Sequence, residues 1–367
     1  MSDQKDIHYM KEALSLADKA AFNCPPNPAV GCVIVKDDCV IGQGFTQKTG
    51  SAHAEVMALR DAQSKGNSVE GATVYVTLEP CSHWGRTPPC ALALKDAKVK
   101  RVVAALTDPN PLVSGRGIRI LEDAGIQTSV GVCKNEALER NIGFIKRMQT
   151  GLPFVRTKIA MSLDGKTALE NGKSQWITGP EAREDGMRFR ARSGAILTGA
   201  GTVRDDDPLL NVRVDGVWRQ PLKVVVDSRL SFDPTMRFFT TGKVLAVCAD
   251  AQPERVRLFE EHGVEVLTLP GTAGQVDLTS LIKELGKREI NEVHVEAGAV
   301  LNGSLTQEGL IDEYLFYVAP KILGPGRPAL ALPPLTELVG AVALDFVEWN
   351  MVGKDLRLVA RLSKEKN

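Results

Sequence analysis

Two consecutive α/β domains are predicted for this 367-residue chain by three observations. Short runs rich in Val, Ile and Leu alternate with amphipathic stretches at helical spacing, as in layered domains built on a largely parallel sheet. The alternation stops once, at Thr150-Gly151-Leu152-Pro153, where proline cannot continue a helix and restricts the residue before it. The length also suits two domains, at roughly 100–200 residues each. The expected division is 1–149 followed by 150–367.

The first element is a helix, because Ile7, Met10, Leu14 and Ala17 recur at helical spacing. AVGCVIV and CVIGQGF read as two strands joined by a turn at Lys36-Asp37-Asp38. A helix over HAEVMALRDAQ, the strand ATVYVTL, the helix CALALKDA and the strand RVVAAL follow. The helix IRILEDAG, the strand IQTSVGV and a helix near NEALERNIGFIKRM complete the first half. After the break come the strand FVRTKIAMSL, the helix PEAREDGMRFRAR and the strand AILTGAG. PLKVVVD, KVLAVCA and VEVLTL are further apolar runs, with helices at ERVRLFEEHG and LTSLIKELG. EVHVEAG is a strand leading into the helix AVLNGSLTQEG, and DEYLFYVAP and LRLVARL are the closing strands. No internal repeat is visible.

Composition narrows the function classes. Apolar residues at 43% and charged residues at 25% supply a core of ordinary size and exclude global disorder. Lys+Arg and Asp+Glu both number 45, and aromatics are 5%. A neutral chain with few stacking platforms lacks the footprint of a nucleic-acid binder. No apolar run approaches the ~18 residues of a membrane helix, and the N-terminal stretch has no signal-peptide core. A cytoplasmic protein with no membrane partner is expected. The seven cysteines are an odd number in a long chain, which argues against a disulfide framework. Cys24, Cys32, Cys39, Cys133 and Cys248 fall in no motif and are expected as buried thiols, packing like small hydrophobes.

The sharpest motif is His53-Ala54-Glu55, followed by Glu79-Pro80-Cys81 and Pro88-Pro89-Cys90. One His and two Cys suit Zn²⁺, and three protein ligands leave its fourth position open, as in catalytic sites. Zinc lowers the pKa of a water there toward ~7. Residues i and i+2 point to different sides of a regular helix. The motif therefore suits a helix start, with His53 outside helical geometry and Glu55 facing the site. Thr87 as a cap and Pro88 in the first turn would begin the helix carrying Cys90, where the dipole favours thiolate. His83 is a rival ligand, or the fourth ligand of a closed structural site. Read alone, HAE also fits a helix cap beside core cysteines. H-x-E with P-C-x-x-C is the pattern of zinc-dependent nucleobase deaminases, with the Glu as proton shuttle. Here eight residues, not two, separate Cys81 from Cys90.

The second half has no G-x-G-x-x-G. Gly199 and Gly201 in TGAGTV lack the third glycine, while VHVEAGAVLNGSL offers Gly298, Gly303 and Ser304. Glycines there let a ligand reach backbone amides, and a helix N-terminus favours phosphate; a tight turn explains either junction equally. Asp205-Asp206-Asp207 alone reads as a solvated turn, Arg190 and Arg213 as surface ion-pair partners, and Trp176 as core.

HAE with PCSHWGRTPPC, preceded by NPAVGCVIV, closely resembles the deaminase domain of the bifunctional riboflavin-biosynthesis deaminase–reductase family, over about residues 7–147. KIAMSLDGKTA, SQWITG, LTGAGTVRDDDPLLNVR, VVDS and VEAGAVLNGSL resemble the reductase domain of the same family, from about residue 153 onward. The resemblance implies a cytidine-deaminase-like three-layer domain, then a dihydrofolate-reductase-like domain using NADPH. It implies His53, Cys81 and Cys90 as the ligands of one Zn²⁺, Glu55 as the catalytic residue, and Asn27, otherwise a turn residue, on the pyrimidine. It implies Ala160, Trp176, Thr202, Asp206, Ser228 and the segment Gly298, Ala299, Val300, Leu301, Asn302, Gly303 and Ser304 on the dinucleotide. Ser174, Arg190, Leu210, Arg213 and Glu296 would hold substrate, the arginines suiting a sugar phosphate because guanidinium pairs with it bidentately. Lys158 and Glu296 are the ionisable candidates for proton handling in the reductase half.

The implied reactions are hydrolytic loss of an exocyclic amine from a diaminopyrimidinone ribosylamine phosphate, then hydride reduction of the ribosyl group to ribityl. The implied partners are phosphorylated pyrimidines and a second copy of the chain. Three rivals stand beside this reading: a nucleic-acid or free-nucleobase deaminase fused to a non-catalytic binding domain, a non-catalytic zinc module, and a deaminase with a degenerate second domain.

Overall fold

The runs AVGCVIV and CVIGQGF become β1 (Gly31–Lys36) and β2 (Cys39–Phe45), an antiparallel hairpin. Its two turn residues, Asp37 and Asp38, both have positive φ, the conformation of a two-residue hairpin turn. The structure is a computed structural model that describes residues 4–84, 88–110 and 114–363. Contacts divide the chain into two units, Met1–Leu152 and Pro153–Asn367.

In the first unit, β3 (Thr73–Val76), β4 (Arg101–Ala104) and β5 (Gln127–Val130) complete a five-stranded sheet of order β2-β1-β3-β4-β5. β1 runs antiparallel to both neighbours and only β3, β4 and β5 are parallel. The sheet is thus mixed rather than largely parallel, because a two-residue turn can only return the chain antiparallel. The helices are α1 (Gln4–Ala20), α2 (Ala54–Ser64), α3 (Cys90–Asp96), α4 (Arg116–Asp123), α5 (Lys134–Arg140) and α6 (Ile142–Thr150). The single helix expected near residues 135–148 is two, parted at Asn141, whose φ of −118° leaves helical geometry. Its buried side chain clamps Ala29, accepting from the amide at 2.8 Å and donating to the carbonyl at 2.9 Å.

Two close approaches set the layers. A Cβ on Gly31 would overlap the Ala13 carbonyl, so α1 lies directly on β1 with Met10, Ala13, Leu14 and Ala17 buried. A Cβ on Gly42 or Gly44 would overlap the Ala58 or Ala54 carbonyl, so α2 meets β2 along a seam of Gly42, Gly44, Ala54, Ala58 and Ala62. Alanines four apart share a helix face, and here that face can bear nothing larger.

The second unit begins with β6 (Phe154–Ser162) and β7 (Lys166–Leu169), then α7 (Pro180–Arg192), β8 (Ala195–Gly199) and α8 (Ala200–Asp206). β9 (Leu222–Val226), β10 (Val244–Cys248), α9 (Pro253–Glu261), β11 (Glu265–Thr268), α10 (Leu278–Lys287), β12 (Glu292–Val295) and α11 (Ala299–Gln307) follow. β13 (Glu313–Ala319), β14 (Gly326–Pro328), β15 (Leu344–Val352) and β16 (Asp355–Leu362) close it. Nine strands form one sheet of order β11-β10-β9-β8-β12-β6-β13-β16-β15, and β14 pairs with β7. The sheet is parallel from β11 to β13 and antiparallel at β16 and β15.

Three departures from the sequence reading matter. AILTGAG is not all strand: β8 ends at Gly199 and α8 starts at Ala200. β15 was not expected; at the edge of the sheet, it exposes Phe346, Trp349 and Met351 by 64–66%. Finally, Cys39 is exposed and Cys133 half-buried, because Cys39 follows the hairpin turn and Cys133 caps α5; Cys24, Cys32 and Cys248 are buried as expected, and all seven thiols are free. Among the described residues no helix is long and apolar enough to cross a membrane.

Candidate active sites

His53 is the N-cap of α2, with extended backbone (φ −77°, ψ 169°), and its carbonyl accepts the first helical bond from the Met57 amide at 3.0 Å. The expected helix start is therefore present, and Glu55 in the first turn is buried. Cys90 opens α3 with Pro89 as N-cap. Pro88 precedes that cap rather than filling the first turn, and Thr87 lies outside the described residues. Cys81 itself serves the helix end: its carbonyl accepts from the Ala91 amide at 3.2 Å and its Sγ from the Cys90 amide at 3.3 Å.

His53 Nδ1 lies 3.5 Å from Cys81 Sγ and 3.3 Å from Cys90 Sγ, and the three ligand atoms fall within 4.8 Å of one another. Zn–N and Zn–S bonds of about 2.0 and 2.3 Å at tetrahedral angles separate N from S by about 3.5 Å. The donor set thus fits one zinc ion. The exposed His83 lies outside the group, so no fourth ligand closes the site among the described residues. A hydrogen bond from Cys90, then His53, pulls the Cys81 thiol down to about 4, while Cys90 is pushed up as the partner that keeps the proton. Burial, then the neighbouring Cys81, pushes Glu55 up to about 7. Asn27 sits half-buried in a turn closed by its amide on the Cys24 carbonyl at 2.9 Å.

One residue of this site carried no role in the sequence reading. Glu79, buried at the end of the run ATVYVTLEP, accepts backbone amides of Asp108 (3.0 Å), Gly115 (2.9 Å), Gly117 (2.9 Å) and Ile118 (3.4 Å). It ties the Cys81 segment to the start of α4, where a Cβ on Gly117 would overlap the Pro80 carbonyl. An acid closing an otherwise apolar strand was the available signal.

In the second unit the carboxyl ends of β8 and β12 lie side by side, joined by Glu296 N to Leu197 O at 2.9 Å and Thr198 Oγ1 to Glu296 O at 2.7 Å. Open α/β sheets bind ligands at such strand ends. Gly199 and Gly298 are the N-caps of α8 and α11, and a Cβ on Gly201 or Gly298 would meet nothing within 4 Å. Two unobstructed strand-to-helix junctions meet there, which fits a dinucleotide phosphate. Gly303 is different. A Cβ on it would overlap the Ala331 carbonyl, so it serves the packing of α11 and does not open an approach. Asn302 is also committed inward, accepting from Thr157 Oγ1 at 2.9 Å and donating to the Ala297 carbonyl at 3.0 Å. Ala299, Val300 and Leu301 form the first turn of α11, and Ser304 Oγ bonds back to the Val300 carbonyl.

Arg190 of α7 grips Glu296 bidentately, at 2.6 and 3.0 Å, and donates to the Asn211 carbonyl at 2.8 Å. Burial raises Glu296, yet Arg190, with His294 and Lys158 adding to it, holds the carboxyl well below its usual range. Lys158 on β6 is lowered by burial, with Glu296 opposing. Trp176 is 63% exposed beneath the Arg183 guanidinium, 4.3 Å from its ring. Leu210 is buried with φ +44°, Arg213 is exposed and bonds Asn211, and Asp206 ends α8. Ala160 pairs with Tyr317 in the sheet, the Ser228 carbonyl accepts the Ala249 and Asp250 amides, and Thr202 and Ser174 are half-buried.

Residues 3–106 match the family described as cytidine and deoxycytidylate deaminase zinc-binding region, and 153–358 match the RibD C-terminal domain. The chain is 44% identical to riboflavin biosynthesis protein RibD of Haemophilus influenzae, over 96% of each chain. It is 45% identical to the Escherichia coli protein of that name, over 96% of this chain and 98% of the other. A solved Acinetobacter baumannii RibD superposes with a TM-score of 0.89 at 42% identity, covering 98% of this chain and 99% of that one. A Thermotoga maritima structure, described as a diaminohydroxyphosphoribosylaminopyrimidine deaminase/5-amino-6-(5-phosphoribosylamino)uracil reductase, gives 0.87 at 31% identity, with coverage of 98% and 99%.

Proposed function

This chain belongs to the RibD family of riboflavin biosynthesis proteins, bifunctional deaminase–reductases that use Zn²⁺ and NADPH, and from that premise we propose how its residues divide the two reactions. Its fold is α/β, a cytidine-deaminase-like domain followed by a reductase domain of dihydrofolate-reductase-like fold. The observation that carries the proposal is the His53–Cys81–Cys90 cluster with a buried glutamate beside it.

We assign deamination to residues 1–149 and reduction to 150–367. The first substrate is a diaminopyrimidinone ribosylamine phosphate, and the second its deaminated product. His53, Cys81 and Cys90 hold Zn²⁺, which when bound lowers the pKa of a water toward ~7. Glu55 moves the protons: its carboxylate accepts one from water and delivers it to the ring nitrogen, then takes the remaining proton of the added hydroxyl and passes it to the departing amine. Burial suits Glu55 to this exchange near neutrality. Asn27 bonds the pyrimidine.

In the second domain, NADPH supplies the hydride when bound. Ala160, Trp176, Thr202, Asp206, Ser228 and the start of α11 from Gly298 through Leu301 bind it, with Asn302 and Gly303 holding that turn in place; the open amides nearest Gly298 suit its pyrophosphate. Ser174, Arg190, Leu210, Arg213 and Glu296 hold the substrate, and Lys158 with Glu296 handles the proton at the reacting sugar carbon. Hydride needs a C=N or C=O acceptor, so the sugar opens before it is reduced.

The chain acts in the cytoplasm, a reading its seven free thiols support. Its neutral charge speaks against a nucleic-acid partner. It assembles with a second copy through the second domain, supported by the exposed apolar face of β15. A paired assay tests the whole: ammonia release from the pyrimidine, and NADPH oxidation with the deaminated product. Loss of one reaction refutes that half alone.

A further inference from the structure

Glu292, His294 and Glu296 alternate along β12 and its end and so share one face. Arg156, beside His294 in register, and Lys158 face the same way on β6, and α7 covers them with Phe189, Arg190 and Arg192. Below His294 the charges are fully paired. Arg156 bonds Glu313 and also Glu292 (2.8 Å), and Arg192 bonds Glu292 at 2.8 Å. Above it stand Glu296, Arg190 and Lys158. His294 lies between the two sets with no exposed surface, and neither ring nitrogen has a hydrogen-bond partner among the described residues. A buried polar group without a partner is costly and demands an explanation.

The explanation lies 3.6 Å away, the distance from His294 Nε2 to Glu296 Oε1. That is too long for a hydrogen bond, yet a shift of about half an ångström makes one. Glu296 Oε1 already accepts Arg190 Nε, and a carboxylate oxygen has two lone pairs. Four charged groups face the imidazole: Arg156 and Lys158 from β6, Arg190 from α7 and Glu296 just past the end of β12. Burial, with Glu296 opposing and the three cations adding to it, keeps it neutral down to about 3. A neutral imidazole carries one N–H, and a carboxylate can only accept.

We propose that His294 is a positioning residue of the reductase site, whose Nε2–H holds Glu296 from behind when substrate draws Arg190 away. Arg190 spends two donors on Glu296, so any anion that recruits them leaves that carboxylate underbonded. His294 takes up Oε1 and keeps it aimed at Lys158 and the sugar. The proposal rests on Glu296 acting in reduction, as assigned above.

The test uses the full chain carrying His294→Phe, which keeps the ring volume without a donor, and His294→Gln, which restores one. His294→Phe should fold at least as stably as the parent by thermal unfolding, since it removes an unpaired polar ring. Its kcat for reduction should fall about ten- to a hundredfold, the worth of a hydrogen bond to a charged acceptor. KM for NADPH, NADPH affinity by fluorescence and ammonia release should not move. His294→Gln should recover most of the kcat. Nitrogen-15 spectra of the parent should show a neutral Nε2–H imidazole at pH 6. Full reduction by a folded His294→Phe overturns the proposal, as does failure of His294→Gln to recover, or an Nδ1–H tautomer. Glu296→Gln separates the premise: if it reduces normally, Glu296 itself is misassigned.

Discussion

The Cys90 amide donates to Cys81 Sγ across 3.3 Å, so one predicted zinc ligand fixes the other through its backbone. Such bonds to a ligand sulfur orient it before metal arrives. Cys90→Ser removes a thiolate donor from the three, and about one Zn²⁺ per chain should fall to a small fraction. Cys248→Ser should retain all of it, because Cys248 is buried in β10 against Thr268. Metal analysis of the two variants checks this, and full retention in Cys90→Ser would refute the ligand set.

Glu55→Gln should keep zinc and lose deamination by ~10²–10⁴-fold, the usual share of a general acid–base group. The amide preserves size but carries no proton between sites. NADPH oxidation with deaminated product should persist. Near-normal ammonia release would remove Glu55 from the mechanism.

The stability of the first unit should depend on Asp6. Its buried carboxylate takes a bidentate pair from Arg101, at 2.8 and 2.7 Å, and a bond from the Tyr75 hydroxyl at 3.0 Å. Arg101 holds the Asp6 carboxyl below its usual value. A carboxyl depressed in the folded state contributes fully above its unfolded pKa of about 3.9, and the contribution fades as pH falls through the folded value. Asp6→Asn should cost about 1–3 kcal/mol at pH 7. The gap to the parent should narrow below about pH 4. Urea midpoints across that range measure it; a gap that widens in acid has the sign wrong.

Gly298 and Gly303 should behave oppositely. Gly298→Val adds bulk at an open junction, so it should weaken NADPH binding and leave the melting temperature unchanged. Gly303→Val drives its side chain into the Ala331 backbone and should destabilise the second unit by several kcal/mol, as overpacking a tight site does. NADPH titration beside thermal unfolding distinguishes them. Equal stability of both variants would place α11 wrongly.

Trp349→Lys on β15 should shift the chain toward monomer in light scattering while zinc content stays at the parental level. Trp349 is 65% exposed within one chain, so a lone chain loses nothing by the change. An unchanged mass would show that another surface joins the copies.

Much of the first site was legible because its chemistry is local. His53 as a cap, Glu55 in the first turn, and Cys90 opening a helix all follow from spacing and helix-end rules. Glu79 was not legible, since its four amide donors come from the 108–118 stretch and only the fold collects them. β15 escaped for a related reason. LDFVEWNMV buries neither face within the chain, so it lacks the clean alternation that betrays a half-buried strand. Gly303 was misread because a glycine at a helix start suggests ligand access, whereas the neighbour that needs its missing methyl is 28 residues away at Ala331. AILTGAG ran one element into the next because Gly199 and Gly201 mark a junction without saying on which residue it falls.

The seam of Gly42 and Gly44 against Ala54, Ala58 and Ala62 bears on how this enzyme can change. Two backbones in contact leave α2 no room to slide or roll, and His53 and Glu55 ride on its first turn. Laboratory evolution toward a different amine-bearing ring would therefore gain nothing from diversity placed along that seam. The alanines that look most replaceable on paper would be among the first to vanish from the surviving pool. Useful variation would gather instead in the segments flanking the two cysteines, where side chains can change without moving the helix that carries the histidine.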